Sequence, residues 1–375
     1  MEKSRRVVAL LLLVVLAITI SGCGKDKQAA KADFKVGVVT GTVSQGEDEY
    51  RAAEIMKERY GDRVIHVTYP DNFMQEQETM IGRITELAAD SDVKAIVVCQ
   101  GVPGTAAAFD KVRRTRDDIL LLVGVTQEDP KIIGAKADIV FDRDELERGK
   151  TIPKLAKEMG AEKFLHYSFP RHMSIPLVSQ RKDIFKEECE ALGIEFIDVS
   201  SPDPMGPDGI PGTQKFILED VPLQVKTHGK DIAVFGTNLA MQEPLIRAAL
   251  DAGCIFPEQC SPGPTMGYPG ALGIDVKGMA GDMNAILDAI EDKIVEKGGA
   301  GRFATWPIAL NMTIIQAMTE LAFRAVDGEI ELTDLDAINE QFEKESGNEM
   351  FVRKLYDDLD FYVILSGSRI LGVEN

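Results

Sequence analysis

The run at residues 94–99, KAIVVC, constrains the fold of this chain more than any other stretch. It is short, β-branched and apolar at successive positions, so it must be covered on both faces, as a central parallel strand is covered by helices. Comparable runs recur at 34–39 (FKVGVV), 63–69, 119–123 and 138–141, and between them lie segments with helical spacing at 47–59, 73–89 and from about 105. Strands alternating with helices at this spacing specify a parallel sheet with right-handed crossovers.

The pattern then starts again. Residues 146–159 read as a helix, 163–168 (KFLHYS) as a strand, 175–192 as a helix and 194–199 as a strand. Residues 200–212 are too rich in Pro and Gly for regular structure, and Pro222 is expected to divide the next helical stretch. A strand at 231–236, a helix at 239–252 and a strand at 271–274 complete a second doubly wound unit. Helices at 283–297 and 307–326, an acidic helical pair at 335–345 and 349–358, and a strand at 361–366 (FYVILS) close the chain. The fold class expected is α/β, with two doubly wound parallel-sheet lobes joined by hinge crossovers.

The first residues carry a different signal. A basic start (Lys3, Arg5, Arg6), an apolar run at 7–20 and the tetrad Ile20-Ser21-Gly22-Cys23 read as an export signal. The tetrad resembles the lipobox of bacterial lipoproteins, with Ile20 where Leu is usual. The resemblance implies a signal peptide at 1–22, lipidation of Cys23, a polar tether at 23–33 and a folded part anchored on the extracytoplasmic face of the membrane. A formal net charge of −19 argues against nucleic acid as a partner, since duplex binding needs a basic surface.

Four cysteines follow Cys23: Cys99, Cys189, Cys254 and Cys260. No pair has C-x-x-C spacing, and the four histidines (His66, His166, His172, His228) are scattered, so neither a metal nor a cofactor is expected. Cys254 and Cys260 flank a Pro-containing loop, which leaves a bridge between them open, with buried free thiols as the favoured reading.

The element order resembles the type I periplasmic binding protein fold, and the chain is similar to a bacterial lipoprotein family of that class, DUF3798. Three motifs carry the likeness. One is Ile139-Val140-Phe141-Asp142 with Gly149 and Met159-Gly160. The second is Phe235-Gly236-Thr237-Asn238 with Arg247-Ala248-Ala249-Leu250 and Gly253. The third is Leu272-Gly273-Ile274-Asp275. The resemblance implies a first lobe of residues 34–141 plus about 277–330 and a second of about 142–276 plus about 331–375. It also implies ligand contacts at Asn238, Asp275 and Arg181, although Leu239 stands where the family usually has Asp.

Physical reasoning adds further candidates. Loops leaving the carboxyl ends of parallel strands hold ligands, which points to Thr40, Thr42, Ser44 and Gln45 after the first strand. Gln100 follows the third strand, Thr126 and Glu128 the fourth, and Arg171 with His172 the strand at 163–168. Tyr268 and Trp306 are candidate ring platforms, with a core role the commoner alternative.

The function expected is a membrane-anchored solute-binding protein, not an enzyme, that closes two lobes on a small polar ligand for uptake by an ABC-type permease or for sensing. The alternative is a two-lobed enzyme such as a racemase using Cys99 and Cys254 as opposed acid and base. Against it, neither thiol has a neighbouring His or Lys in sequence to activate it. A transcription regulator shares the core fold, but an export signal occupies the place of a DNA-binding helix pair.

Overall fold

The computed structural model describes residues 33–279 and 282–373. The export signal and Cys23 lie outside these residues, as does all of the tether except Asp33. Strands are numbered in chain order: β1 Lys35–Thr40, β2 Val64–Thr68, β3 Val93–Gly101, β4 Leu120–Thr126, β5 Ile139–Arg143, β6 Lys163–Ser168, β7 Glu195–Ser200, β8 Ile232–Gly236, β9 Ala304–Thr305, β10 Phe351–Lys354, β11 Phe361–Leu365 and β12 Arg369–Ile370.

The first sheet has the order β10-β11-β5-β4-β3-β1-β2, parallel throughout except for β10 against β11. Side chains alternate across a strand, and β3 shows why it had to be central. Ala95, Val97 and Cys99 enter one apolar cluster with the helices Glu47–Tyr60 and Leu310–Val326, while Ile96 and Val98 enter another with Gln77–Ala89 and Thr105–Arg113. Each fully buried Val or Ile side chain contributes about 1.5–3 kcal/mol relative to exposure.

The second sheet is β7-β6-β8, again parallel, extended by a single bridge between Ala233 and Ile255. Its faces fill two further apolar clusters, one around Phe164, Phe185 and Phe235 and one around Leu165, Val234 and Phe256. The chain leaves the first sheet at Arg143, enters the second through the helix Glu145–Glu158, and returns before Leu310–Val326.

Several local expectations change. Of the segment from about 331, the part up to Leu365 does not join the second lobe, because Phe361–Leu365 pairs in parallel with β5 and Ile338, Phe342, Phe361, Val363 and Ile364 fill the first sheet's clusters, whereas Leu371 packs in the second lobe's. Conversely, Met283–Glu296 packs Ile286, Leu287 and Ile290 into the second lobe. Residues 351–354 form an edge strand where a helix was expected. Residues 271–274 are the end of a short helix, Tyr268–Leu272, and its turn, not a strand. Pro222 does not divide its helix, which runs Gly209–His228 with Pro222 exposed on its outer side, and this helix also takes the last residues of the Pro/Gly-rich loop.

Candidate functional site

The carboxyl ends of β1, β3, β4 and β5 face those of β6 and β8 across a cavity of about 310 Å³. This is the position that open α/β sheets reserve for ligands, where the order of strands reverses between β1 and β3. Ser44, Asp48, Gln100, Thr126 and Arg143 line it from the first sheet's side; Arg171, His172, Arg181, Thr237 and Asn238 line it from the second.

The helix Glu47–Tyr60 begins with three acids, favourable beside the helix dipole. Asp48 reaches the cavity and accepts from the Thr265 hydroxyl (2.8 Å). Burial, with Glu49 next to it, pushes its carboxyl up to about 7. Glu49 is fully buried and raised by burial; its Oε1 accepts from Gln100 Nε2 (3.0 Å) and Asn311 Nδ2 (2.7 Å). Gln100 is therefore fixed between Glu49 and Gln127.

At the floor, three arginines converge on one carboxylate. Arg143 Nε donates to Glu145 Oε1 (3.1 Å), and both Arg148 Nη1 (3.0 Å) and Arg181 Nη1 donate to Glu145 Oε2. Burial would raise the Glu145 carboxyl, but Arg181, Arg143 and Arg148 overcome it and hold it at about 2. Arg148 is completed by Glu258 and the carbonyls of Gln259 and Cys260. Arg181 sits over the Phe235 ring, 4.9 Å from its centroid. Its burial lowers its basicity.

On the second-lobe wall, Pro170 opens the short helix Pro170–Met173 that presents Arg171 and His172. Arg171 is paired twice with Asp203 (2.9 Å each). His172 shares hydrogen bonds with Thr237 (3.2 Å) and Asn238 (3.4 Å), and burial, with Arg171 nearby, lowers it to about 3, so it is a neutral ring. Asn238 caps Leu239–Met241, its Oδ1 accepting from Ala240 N (2.9 Å), while still lining the cavity.

Four expected contacts lie elsewhere. Thr40 is buried, its hydroxyl bonded to Gly41 O and His66 Nε2 (2.8 Å each). Thr42 does not line the cavity; its hydroxyl is bonded to Asp71 and Ser44. Glu128 is turned away to accept from Gly104 N (3.0 Å) and Ala106 N (2.7 Å) at the start of Thr105–Arg113, where orphan helix donors require an acceptor. Asp275 is exposed and accepts from Lys277 N (3.0 Å), a local turn. Tyr268 and Trp306 are buried; the Tyr268 hydroxyl donates to Ala304 O and Trp306 Nε1 to Glu258. Asp48, Arg143, Glu145, Ser261 and Thr265 were missed. The acidic run 47–49 and the charged run 142–145 were visible signals, but only the fold says which of their members turn inward.

The four described cysteines are free and buried, with no Cys254–Cys260 bridge. Cys99 and Cys254 lie in separate apolar clusters and neither lines the cavity. Among the described residues no group of His, Cys, Asp and Glu is placed to hold a metal, and no helix is long and apolar enough to cross a membrane.

A family model described as protein of unknown function, DUF3798, matches residues 34–304. Two proteins of Treponema pallidum (strain Nichols), each described as uncharacterized, are similar in sequence. One is 39% identical over 184 residues, 47% of this chain and 83% of that protein; the other is 35% identical over 218 residues, 57% and 97%. Among solved structures, a Clostridium difficile 630 protein named as a candidate transcriptional regulator matches at TM-score 0.76 and 28% identity, over 90% of this chain and 99% of that one. A sugar ABC transport substrate-binding protein of Bordetella parapertussis 12822 matches at TM-score 0.56 and 12% identity, over 91% and 89%. A periplasmic solute-binding protein of Actinobacillus succinogenes 130z, solved with D-allose, matches at TM-score 0.54 and 13% identity, over 79% and 92%. The architecture is the two-lobed α/β one of periplasmic binding proteins.

Proposed function

The chain belongs to the DUF3798 family, and from that premise we propose that it is an extracytoplasmic solute-binding protein. In this reading it is held to the membrane by lipid on Cys23, closes two lobes on a small polar molecule, and presents it to an ABC-type permease or a membrane sensor. The observation that carries the reading is the cavity itself, lined by polar side chains from both sheets, Asp48 and Arg143 on one side and His172 and Asn238 on the other. A ligand touching both sides favours the closed arrangement by its differential affinity for it. The sugar-transport and D-allose-bound neighbours support a small polar cargo.

No catalytic step belongs to this reading. Cys99 and Cys254 are thiols raised by burial, Cys254 to about 12, which leaves neither able to act as a base near neutral pH. The acidic net charge favours a small-molecule receptor over a DNA-bound regulator.

Native mass spectrometry of freshly purified protein is the test, with thermal shifts across sugars, nucleosides, amino acids and peptides. A co-purifying small molecule, or a class that raises the melting temperature, is expected. A protein that carries nothing and responds to none of the four classes would overturn the reading.

A further inference from the structure

The arginines at the floor of the cavity carry more hydrogen-bond donors than the carboxylate they share can accept. Glu145 is spent: Oε1 accepts from Arg143, and Oε2 from Arg148 and Arg181. Asp48 also lines the cavity and Glu49 keeps a buried Oε2 without a partner, whereas three further carboxylates are engaged elsewhere. Asp142 accepts from the backbone of Thr126 and Arg143, Glu258 lies behind Arg148 and takes Trp306 and Ser368, and Asp203 is fixed on Arg171. Arg143 uses Nε on Glu145 and Nη1 on Ser261 (2.7 Å), and Arg181 uses Nη1 on Glu145. Among the described residues, Nη2 of Arg143 and Nη2 of Arg181 take no protein partner, and both side chains line the cavity.

A guanidinium donor left unmatched in a buried site is costly, and a planar oxyanion is its best match. A neutral hydroxyl can also accept from an arginine, but without the charge that makes such a pair strong. We infer that the cargo carries a carboxylate whose oxygens dock on Arg143 and Arg181 at the cavity floor. This rests on the solute-binding reading and narrows its substrate class.

The test is isothermal titration of the full mature protein with matched pairs. These are glucuronate and galacturonate against glucose and galactose, and 2-hydroxy and 2-oxo acids against their primary amides. In at least one pair the acid should bind about 30-fold tighter than its neutral partner, the worth of a charge-assisted pair over a neutral one. In Arg143→Gln that preference should disappear. As a measurement independent of any variant's folding, ¹³C NMR of a carboxyl-labelled acid bound to the wild type should show its titration depressed. A neutral member binding as tightly as its acid, or a preference that survives Arg143→Gln in a folded variant, overturns the inference and leaves the solute-binding reading standing. Failure of every acid to bind overturns the inference, while the solute-binding reading is decided separately by the co-purified ligand and the thermal shifts.

Discussion

Arg181, on the helix Pro176–Leu192, donates to Glu145 at the start of the crossover helix, with 1% and 2% of their side chains exposed. The pair ties the second lobe to the segment where the chain leaves the first sheet. It also fixes the arginine that faces the cavity.

Breaking that pair from one side should be expensive. Arg181→Ala leaves Glu145 with Arg143 and Arg148, while Glu145→Gln leaves three buried guanidinium groups without their shared carboxylate. Glu145→Gln is therefore the more damaging change, costing about 3–5 kcal/mol in urea unfolding. The double variant should cost less than the sum of the singles, since the two share one interaction.

Asp48 sets a pH dependence. Its folded carboxyl is raised to about 7 from the usual 3.8, so between these values the folded state holds a proton that the unfolded state has lost. The contribution of Asp48 to stability therefore falls as pH rises from 4 to 7. Asp48→Asn should remove this fall, and the wild-type minus variant difference should change by roughly 2–4 kcal/mol across that window. His172, lowered by burial, has the opposite slope, and taking the difference between the two proteins cancels it. A pH-independent difference would refute the assignment.

Gly124 in β4 has no room for a side chain, because an added Cβ would lie 2.6 Å from Ile314 Cγ2 and 2.8 Å from Met318 Cε. Both neighbours are fully buried in the helix Leu310–Val326. Gly124→Ala should cost about 1–3 kcal/mol by chemical denaturation, as overpacked cores do.

The thiols should be free in the purified protein. Ellman titration of the denatured protein lacking residues 1–23, without reductant, should find Cys99, Cys189, Cys254 and Cys260, and a reductant should leave the melting temperature unchanged. Fewer reactive thiols before reduction would mean a bridge.

The proposed lipid on Cys23 predicts a change of location. Cys23→Ala should release the protein from washed membranes, and retention of the variant would count against lipidation.

The first sheet could be read from the sequence because its central strand β3 is apolar at consecutive positions, a pattern that leaves few alternatives to burial between helices; the second, whose central β6 carries His166 and Ser168, was legible from the recurring order of strands and helices. The edge was harder. Phe351–Lys354 exposes three of its four residues, two of them charged, with Val352 as its sole buried side chain, so its pattern carries little strand signal. For the site, the loops after β1, β3, β4 and β6 were located because topology alone places them at the cleft. Which side chains in them turn inward depends on competition for hydrogen bonds. Glu128 loses to the bare amides of Gly104 and Ala106, Thr42 to Asp71, and Asp275 to its own turn. No local pattern announces a carboxylate shared by three arginines from two helices and a strand.

The strand Phe361–Leu365 sits between β5 and β10, although more than two hundred residues separate it from β5 in the chain. During synthesis the first lobe therefore stays without β10 and β11 until more than two hundred residues beyond β5 have been made. Its assembly must bridge a very long loop, which slows folding and exposes the side of β5 that pairs with β11 while the chain waits. A helper that binds extended, apolar segments would find its natural target there.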